Sequence, residues 1–93
     1  MEWLFSISFD RKILTLKAKL IYHSDQIERI RIIGRNRSIT LQNNRPFLEV
    51  RGLKHKRVEW KLIEGKMNNA HLLQLIIHTL ESFLKGKERF FPR

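Results

Sequence analysis

Apolar and polar residues alternate along the first part of the chain. In residues 3–9 the odd positions are apolar, and in residues 14–22 the even positions are: Trp3, Phe5, Ile7, Phe9, Leu14, Leu16, Ala18, Leu20 and Tyr22. A period of two is typical of a strand with one buried face. The same alternation continues through Ile30, Ile32, Ile39 and Leu41. The pattern therefore predicts several short strands that share one apolar inner face.

Clusters of turn-forming residues separate these segments. They fall at residues 10–12, 23–26, 34–37, 43–46 and 52–56 and include Gly34, Asn36, Asn43, Asn44, Pro46 and Gly52. Such residues favour tight turns because they tolerate or pre-set the required backbone angles. Pro46 lacks an N–H to donate to a ladder and belongs at the start or edge of a strand. We therefore predict two further strands, at residues 47–51 and 57–63.

The period changes from two to that of a helix after Met67. Apolar residues gather on one side of a helical wheel, with Asn68 or Asn69 as N-cap and Gly86 as the C-terminal stop. The apolar arc spans roughly 200° at 100° per residue, about twice what a helix on one sheet needs. Either a curled sheet and the C-terminal tail pack around the helix, or part of the arc forms the interface of a homodimer. Phe90 and Phe91 would pack back on the domain or cap a neighbour.

These patterns predict one α+β domain over residues 1–93. We expect an antiparallel, strongly twisted sheet of about five or six short strands over roughly residues 2–63. One amphipathic helix over roughly residues 67–85 would pack on the apolar face of that sheet.

Positive charge is concentrated on the predicted strands. Residues 11–57 contain thirteen Lys and Arg against three acids, which accounts for the whole net charge of +10. A concentrated positive field attracts polyanions such as nucleic acid. Alternation places Lys17, Lys19, Arg29 and Arg31 on the outer face of neighbouring strands. The predicted polyanion site comprises these four and the basic residues of nearby turns: Arg35, Arg37, Arg45, Lys54, His55, Lys56 and Arg57.

Most catalytic and metal chemistry is made improbable by the residues present. There is no cysteine, and the four glycines stand apart rather than forming a phosphate-binding loop. His71 and His78 share a helix face, but seven residues separate them by about 10.5 Å of rise, too far for one metal. We therefore expect no enzymatic activity, cofactor, metal site or small-molecule substrate.

The N-terminus has neither a basic region nor the apolar core of a signal peptide. No segment approaches the roughly 20 apolar residues of a membrane span, so we expect no membrane insertion. The lack of cysteine favours a reducing compartment, which predicts a cytoplasmic location.

Two functions are consistent with these features. The first is non-enzymatic binding of nucleic acid or another polyanion by the outer basic face. Because the aromatic residues alternate inward, this interpretation predicts backbone contacts with little base recognition: Trp3, Phe5, Phe9, Tyr22, Phe47 and Trp60. The alternative is a protein–protein interaction or assembly module that uses the C-terminal helix and the Phe90–Phe91 tail, including a homodimer through the helix.

Overall fold

A computed structural model describes the backbone of residues 2–53 and 55–90 and the side chains of residues 2–53 and 55–84. The elements follow in the order β1 (Glu2–Phe9), β2 (Lys12–His23), β3 (Glu28–Ile33), β4 (Ser38–Asn43), α1 (Arg45–Val50), β5 (Trp60–Glu64) and α2 (Ala70–Phe90). The predicted α+β class, with an antiparallel sheet followed by a C-terminal helix, is confirmed.

The sheet is a meander in which every strand pairs with its neighbour in the chain, in the order β1-β2-β3-β4-β5. Asp10 and Arg11 form the β1–β2 turn with φ of 51° and 62°. Ser24 closes the β2–β3 turn, because its Oγ accepts hydrogen bonds from the backbone N–H groups of Gln26 and Ile27. Gly34 N–H donates to the Arg37 carbonyl at 2.8 Å in the β3–β4 turn. The predicted turns between the first four strands are therefore confirmed.

The core lies between one face of this sheet and α2. The inner face contributes buried apolar residues from β1 to β4, and α2 contributes three more at four-residue spacing: Ile7, Ala18, Ile30, Ile32, Ile39, Leu41, Ile76, Leu80 and Leu84. That spacing aligns the helical side chains along one stripe. Phe9 contacts His71, and Trp3 stacks on Phe83 with ring centroids 4.8 Å apart. The helix therefore runs antiparallel to β1: it begins beside the C-terminal end of the strand and continues towards the N-terminal end of the strand.

The bounds of α2 differ from the predicted 67–85. The helix begins at Ala70, where Asn69 Oδ1 accepts a hydrogen bond from the Leu72 backbone N–H at 3.0 Å, so Asn69 is the cap. It continues through Gly86 to Phe90, and the predicted stop at Gly86 is wrong. Glycine in a helix interior costs only about 1 kcal/mol, which neighbouring helical turns can outweigh. No helix within the described residues is long and apolar enough to cross a membrane.

The predicted strand at residues 47–51 is wrong, because this segment forms the short helix α1. Pro46 lies in its first turn, where the missing N–H costs nothing. Arg45 and Glu49 form an i,i+4 ion pair at 3.0 Å along it. Phe47 is 37% exposed on this helix, so its predicted place in the core is also wrong. The last strand is Trp60–Glu64 rather than 57–63.

A buried polar cluster joins α1 to the end of the sheet. The Glu28 carboxylate accepts hydrogen bonds from Arg45 Nε at 2.9 Å and Asn43 Nδ2 at 3.0 Å, while Asn43 Oδ1 accepts from the Arg45 backbone N–H. Glu28 and Asn43 are only 1% and 2% exposed. A carboxylate so far from water must be paired to remain charged. The cluster thus fixes α1 against β3 and β4.

Candidate nucleic-acid interface

The outer face of the sheet carries two cross-strand rows of polar side chains. The register aligns Glu2, Lys19, Arg31, Thr40 and Glu64 in one row, and Tyr22, Arg29, Gln42 and Lys61 in the next. Within the described residues, no helix packs on this face. Basic side chains lie near the centre of each row, and every residue of the two rows is at least partly exposed except Thr40, which is only 2% exposed.

Four predicted site residues share this face on β2 and β3, as the alternation indicates. Lys19 pairs with Arg31 in register, and Lys17 lies two residues before Lys19 on the same strand. Both lysines approach Glu2, at 3.9 Å for Lys17 and 3.8 Å for Lys19, and all three side chains are about half exposed. Exposed pairs at such distances are worth less than about 1 kcal/mol. The lysines therefore remain available to an anion.

Arg29 and Arg31 differ in their hydrogen bonds to the rest of the protein. Arg29 Nε donates a hydrogen bond to Gln42 Oε1 at 3.0 Å, which fixes the guanidinium over β4. Arg31 has neither a hydrogen bond nor an ion pair within the described residues. Its five donors are free to bind phosphate oxygens in the bidentate way that suits a planar guanidinium.

Tyr22 lies on this outer face, and its predicted place in the core is wrong. A β-bulge shifts the register between Leu20, which pairs with Ile30, and Tyr22, which pairs with Arg29. One extra residue reverses the faces of everything beyond it. Tyr22 is 47% exposed, and the Arg29 guanidinium lies 5.2 Å from the centre of its ring. The bulge thus adds an aromatic ring to a basic surface.

Lys61 also belongs to this face, although the sequence interpretation did not include it in the site. It pairs with Gln42 in register and is exposed. The signal was available, because Lys61 alternates with the inward-facing Trp60 and Leu62. It extends the basic row of Arg29 to the far edge of the sheet.

The remaining predicted site residues do not join the four in one patch. Arg35 and Arg37 are exposed in the β3–β4 turn. Arg45 forms ion pairs with Glu28 and Glu49 and is only 22% exposed, so its charge is used within the fold. His55, Lys56 and Arg57 are exposed in the loop before β5, and Lys54 lies outside the described residues.

A second candidate surface is the helix α2. Ile76, Leu80 and Leu84 of its apolar arc are buried, and Leu72, Leu73, Leu75 and Ile77 are half-buried against the core. Phe83 is 39% exposed but stacks on Trp3. The sheet therefore accounts for much of the width of the arc. Phe90 and Phe91 have no described side chains, so the predicted role of the tail lies outside the described residues.

No cluster of three or more potential metal ligands occurs among the described residues. His71 packs against Phe9, and His78 lines a cleft beside Trp60, so the two point to different surroundings.

Comparisons with protein-family models, with curated proteins and with solved structures find no match to this chain.

Proposed function

We propose that this protein is a non-enzymatic nucleic-acid-binding domain that holds a single strand against the outer face of its sheet. The observation that carries the proposal is the position of Tyr22 beside Arg29, in the row next to Lys19 and Arg31. Proteins that bind single strands combine a basic surface for the backbone with aromatic rings on which bases stack.

Charge supports the backbone half of this function. Five cations lie on the outer face, and the two acids in its rows, Glu2 and Glu64, stand at the edges of the sheet. The net field at its centre is therefore positive and would attract phosphate from a distance of about a Debye length, roughly 8 Å in physiological salt.

The shape of the surface favours a single strand over a duplex. Proteins that recognise duplex DNA usually insert a helix or a narrow two-stranded ribbon into the major groove. Here α2 covers the opposite face, and the basic residues lie on a broad sheet. On the sheets of single-strand-binding domains, unstacked bases stack on exposed aromatic side chains. Tyr22 changes the expectation of pure backbone contact, because its half-exposed ring is a platform for one base.

Titration of labelled poly-dT and poly-U oligonucleotides at several salt concentrations tests the proposal. The double variant Arg29→Gln, Arg31→Gln should flatten the slope of log affinity against log salt by up to about 1.4 on a single strand. Lys12→Gln with Arg51→Gln is the matched control, because it removes the same charge from positions outside the outer basic rows. The control should change the slope much less.

The stacking half of the proposal needs a separate variant. Tyr22→Ala should weaken binding by roughly 5- to 150-fold, the equivalent of about 1–3 kcal/mol per stacked base. Tyr22→Phe retains the ring and should bind nearly as well as wild type. Equal losses in both would contradict base stacking. If wild type binds neither oligonucleotide at low salt, the proposal fails and an assembly module built on α2 takes its place.

We further propose a cytoplasmic location, where single-stranded RNA is abundant and a chain without cysteine needs no disulfides. Fractionation of cells that express the tagged chain would test this.

A further inference from the structure

An apolar pocket of about 160 Å³ lies on the other side of the sheet, beside the first turns of α2. Leu16, Ile32 and Ile39 line it from the sheet, and Leu72 and Ile76 line it from the helix. Lys66 and Met67, from the loop between β5 and α2, complete its lining.

The mouth of the pocket is basic. Arg37, Ser38 and Lys66 line the pocket and also line an adjoining depression of about 300 Å³. Within the described residues, neither cation at the mouth has an ion-pair partner. The lining is thus mostly apolar, and the exposed residues Arg37, Ser38 and Lys66 lie where the pocket meets the adjoining depression.

We propose that this pocket binds a small organic anion that joins one carboxylate to a single ring or branched chain of about six carbons. An apolar cavity of about 150 Å³ is sufficient to hold benzene, so the volume sets this size. Burial of the hydrocarbon would supply binding energy in proportion to its apolar area. Arg37 and Lys66 would bind the carboxylate by charge-assisted hydrogen bonds.

The same features exclude other ligand classes from this pocket. A nucleotide and a long acyl chain are both larger than a pocket of about 160 Å³. A neutral hydrocarbon fits the apolar lining but gains nothing from Arg37 and Lys66, which are exposed to water. The site is therefore separate from the outer face and does not depend on nucleic-acid binding.

Benzoate is the probe for the test, with benzamide as its neutral counterpart and inorganic phosphate as an anion without a ring. We expect benzoate to shift the backbone amide NMR signals of Gly34, Ile39 and Leu72 saturably, with a Kd of about 1 mM or tighter. Benzamide should bind about tenfold more weakly, and phosphate should leave the signal of Leu72 unchanged.

Variants separate the mouth from the chamber. Arg37→Gln with Lys66→Gln should weaken benzoate binding about tenfold, as expected for loss of charge-assisted hydrogen bonds. Arg35→Gln is the matched control, because Arg35 lies in the same turn but does not line the pocket. Leu72→Phe should reduce binding by filling the chamber. If it unfolds the protein, the surface variants at the mouth still decide the question.

Three results would overturn the proposal. They are the absence of saturable shifts with benzoate, equal affinity for benzamide, and equal loss of affinity in the Arg35 control. The double variant Lys17→Gln, Lys19→Gln distinguishes the two proposals. It should weaken the binding of the oligonucleotide and leave the affinity for benzoate unchanged.

Discussion

Replacement of Gly65 by alanine tests how closely the end of β5 approaches β4. Gly65 has φ of +88°, a conformation that residues with a Cβ rarely adopt. A Cβ at this position would lie 2.7 Å from the Ser38 carbonyl oxygen and 2.9 Å from Ile39 Cγ2. The carbonyl belongs to the backbone of β4, so it cannot turn away as a side chain would. The substitution must therefore displace one strand from the other.

Gly52 offers a matched control for the size of this effect. It also has positive φ, at +68°, but a Cβ there meets nothing within 4 Å. Gly52→Ala should therefore cost only the left-handed conformation, about 1 kcal/mol of the free energy of unfolding. Gly65→Ala adds the crowding term, about 1–3 kcal/mol for an overpacked site. We expect a total of about 2–4 kcal/mol.

Thermal and urea unfolding of both variants would measure the difference. At about 4–8 °C per kcal/mol for a domain of this size, Gly52→Ala should lower Tm by several degrees and Gly65→Ala by clearly more. The slope against urea should stay constant if only the folded state is affected. If Gly65→Ala is no more destabilising than Gly52→Ala, β5 does not approach β4 as closely as described.

Three further predictions concern the core, the polar cluster and assembly. Leu80→Ala removes a fully buried side chain and should cost about 2–5 kcal/mol in urea unfolding; a cost near 0.5 would mean that α2 is not packed on the sheet. Glu28→Gln removes the buried carboxylate that pairs with Arg45, which keeps Glu49 as a partner, and should cost about 1–3 kcal/mol, whereas Glu2→Gln should cost less than about 1; equal costs would contradict the burial of Glu28. We also propose that the part of the α2 arc that the sheet leaves exposed supports a homodimer, which sedimentation over a concentration series would reveal; a monomer at high micromolar concentration would exclude it.

The period of apolar residues was sufficient to predict most of the sheet. Four strands follow the alternation because each has one face against α2, so burial and sequence pattern coincide. The segment at residues 47–51 was misassigned because the helix to which it belongs, Arg45–Val50, has only six residues, too few for a helical period to appear. Its helical character depends on Pro46 in the first turn and on the Arg45–Glu49 pair. The proline is a helix-start signal and the ion pair has helical i to i+4 spacing. Neither feature appears in a pattern of alternating apolar and polar residues.

The candidate site was predicted less completely than the fold. Lys17, Lys19, Arg29 and Arg31 fall on the outer face because they alternate with core residues. Tyr22 could not be placed, since a bulge is a departure from the period on which the prediction depends. Arg45 was assigned to the surface because the sequence contains no sign that Glu28, seventeen residues earlier, is its buried partner.

The meander topology has a consequence for how the chain acquires its structure during synthesis. Each strand meets its pairing partner as soon as the next segment emerges, so the sheet forms from contacts of short sequence separation, which favours rapid folding. Its apolar face is different, because the helix that covers it is made after all five strands. Until α2 emerges, a nearly complete sheet exposes its apolar side chains to the ribosome and to chaperones. The interval that this takes, a few seconds at about 5–20 residues per second, is when the protein is most exposed to aggregation.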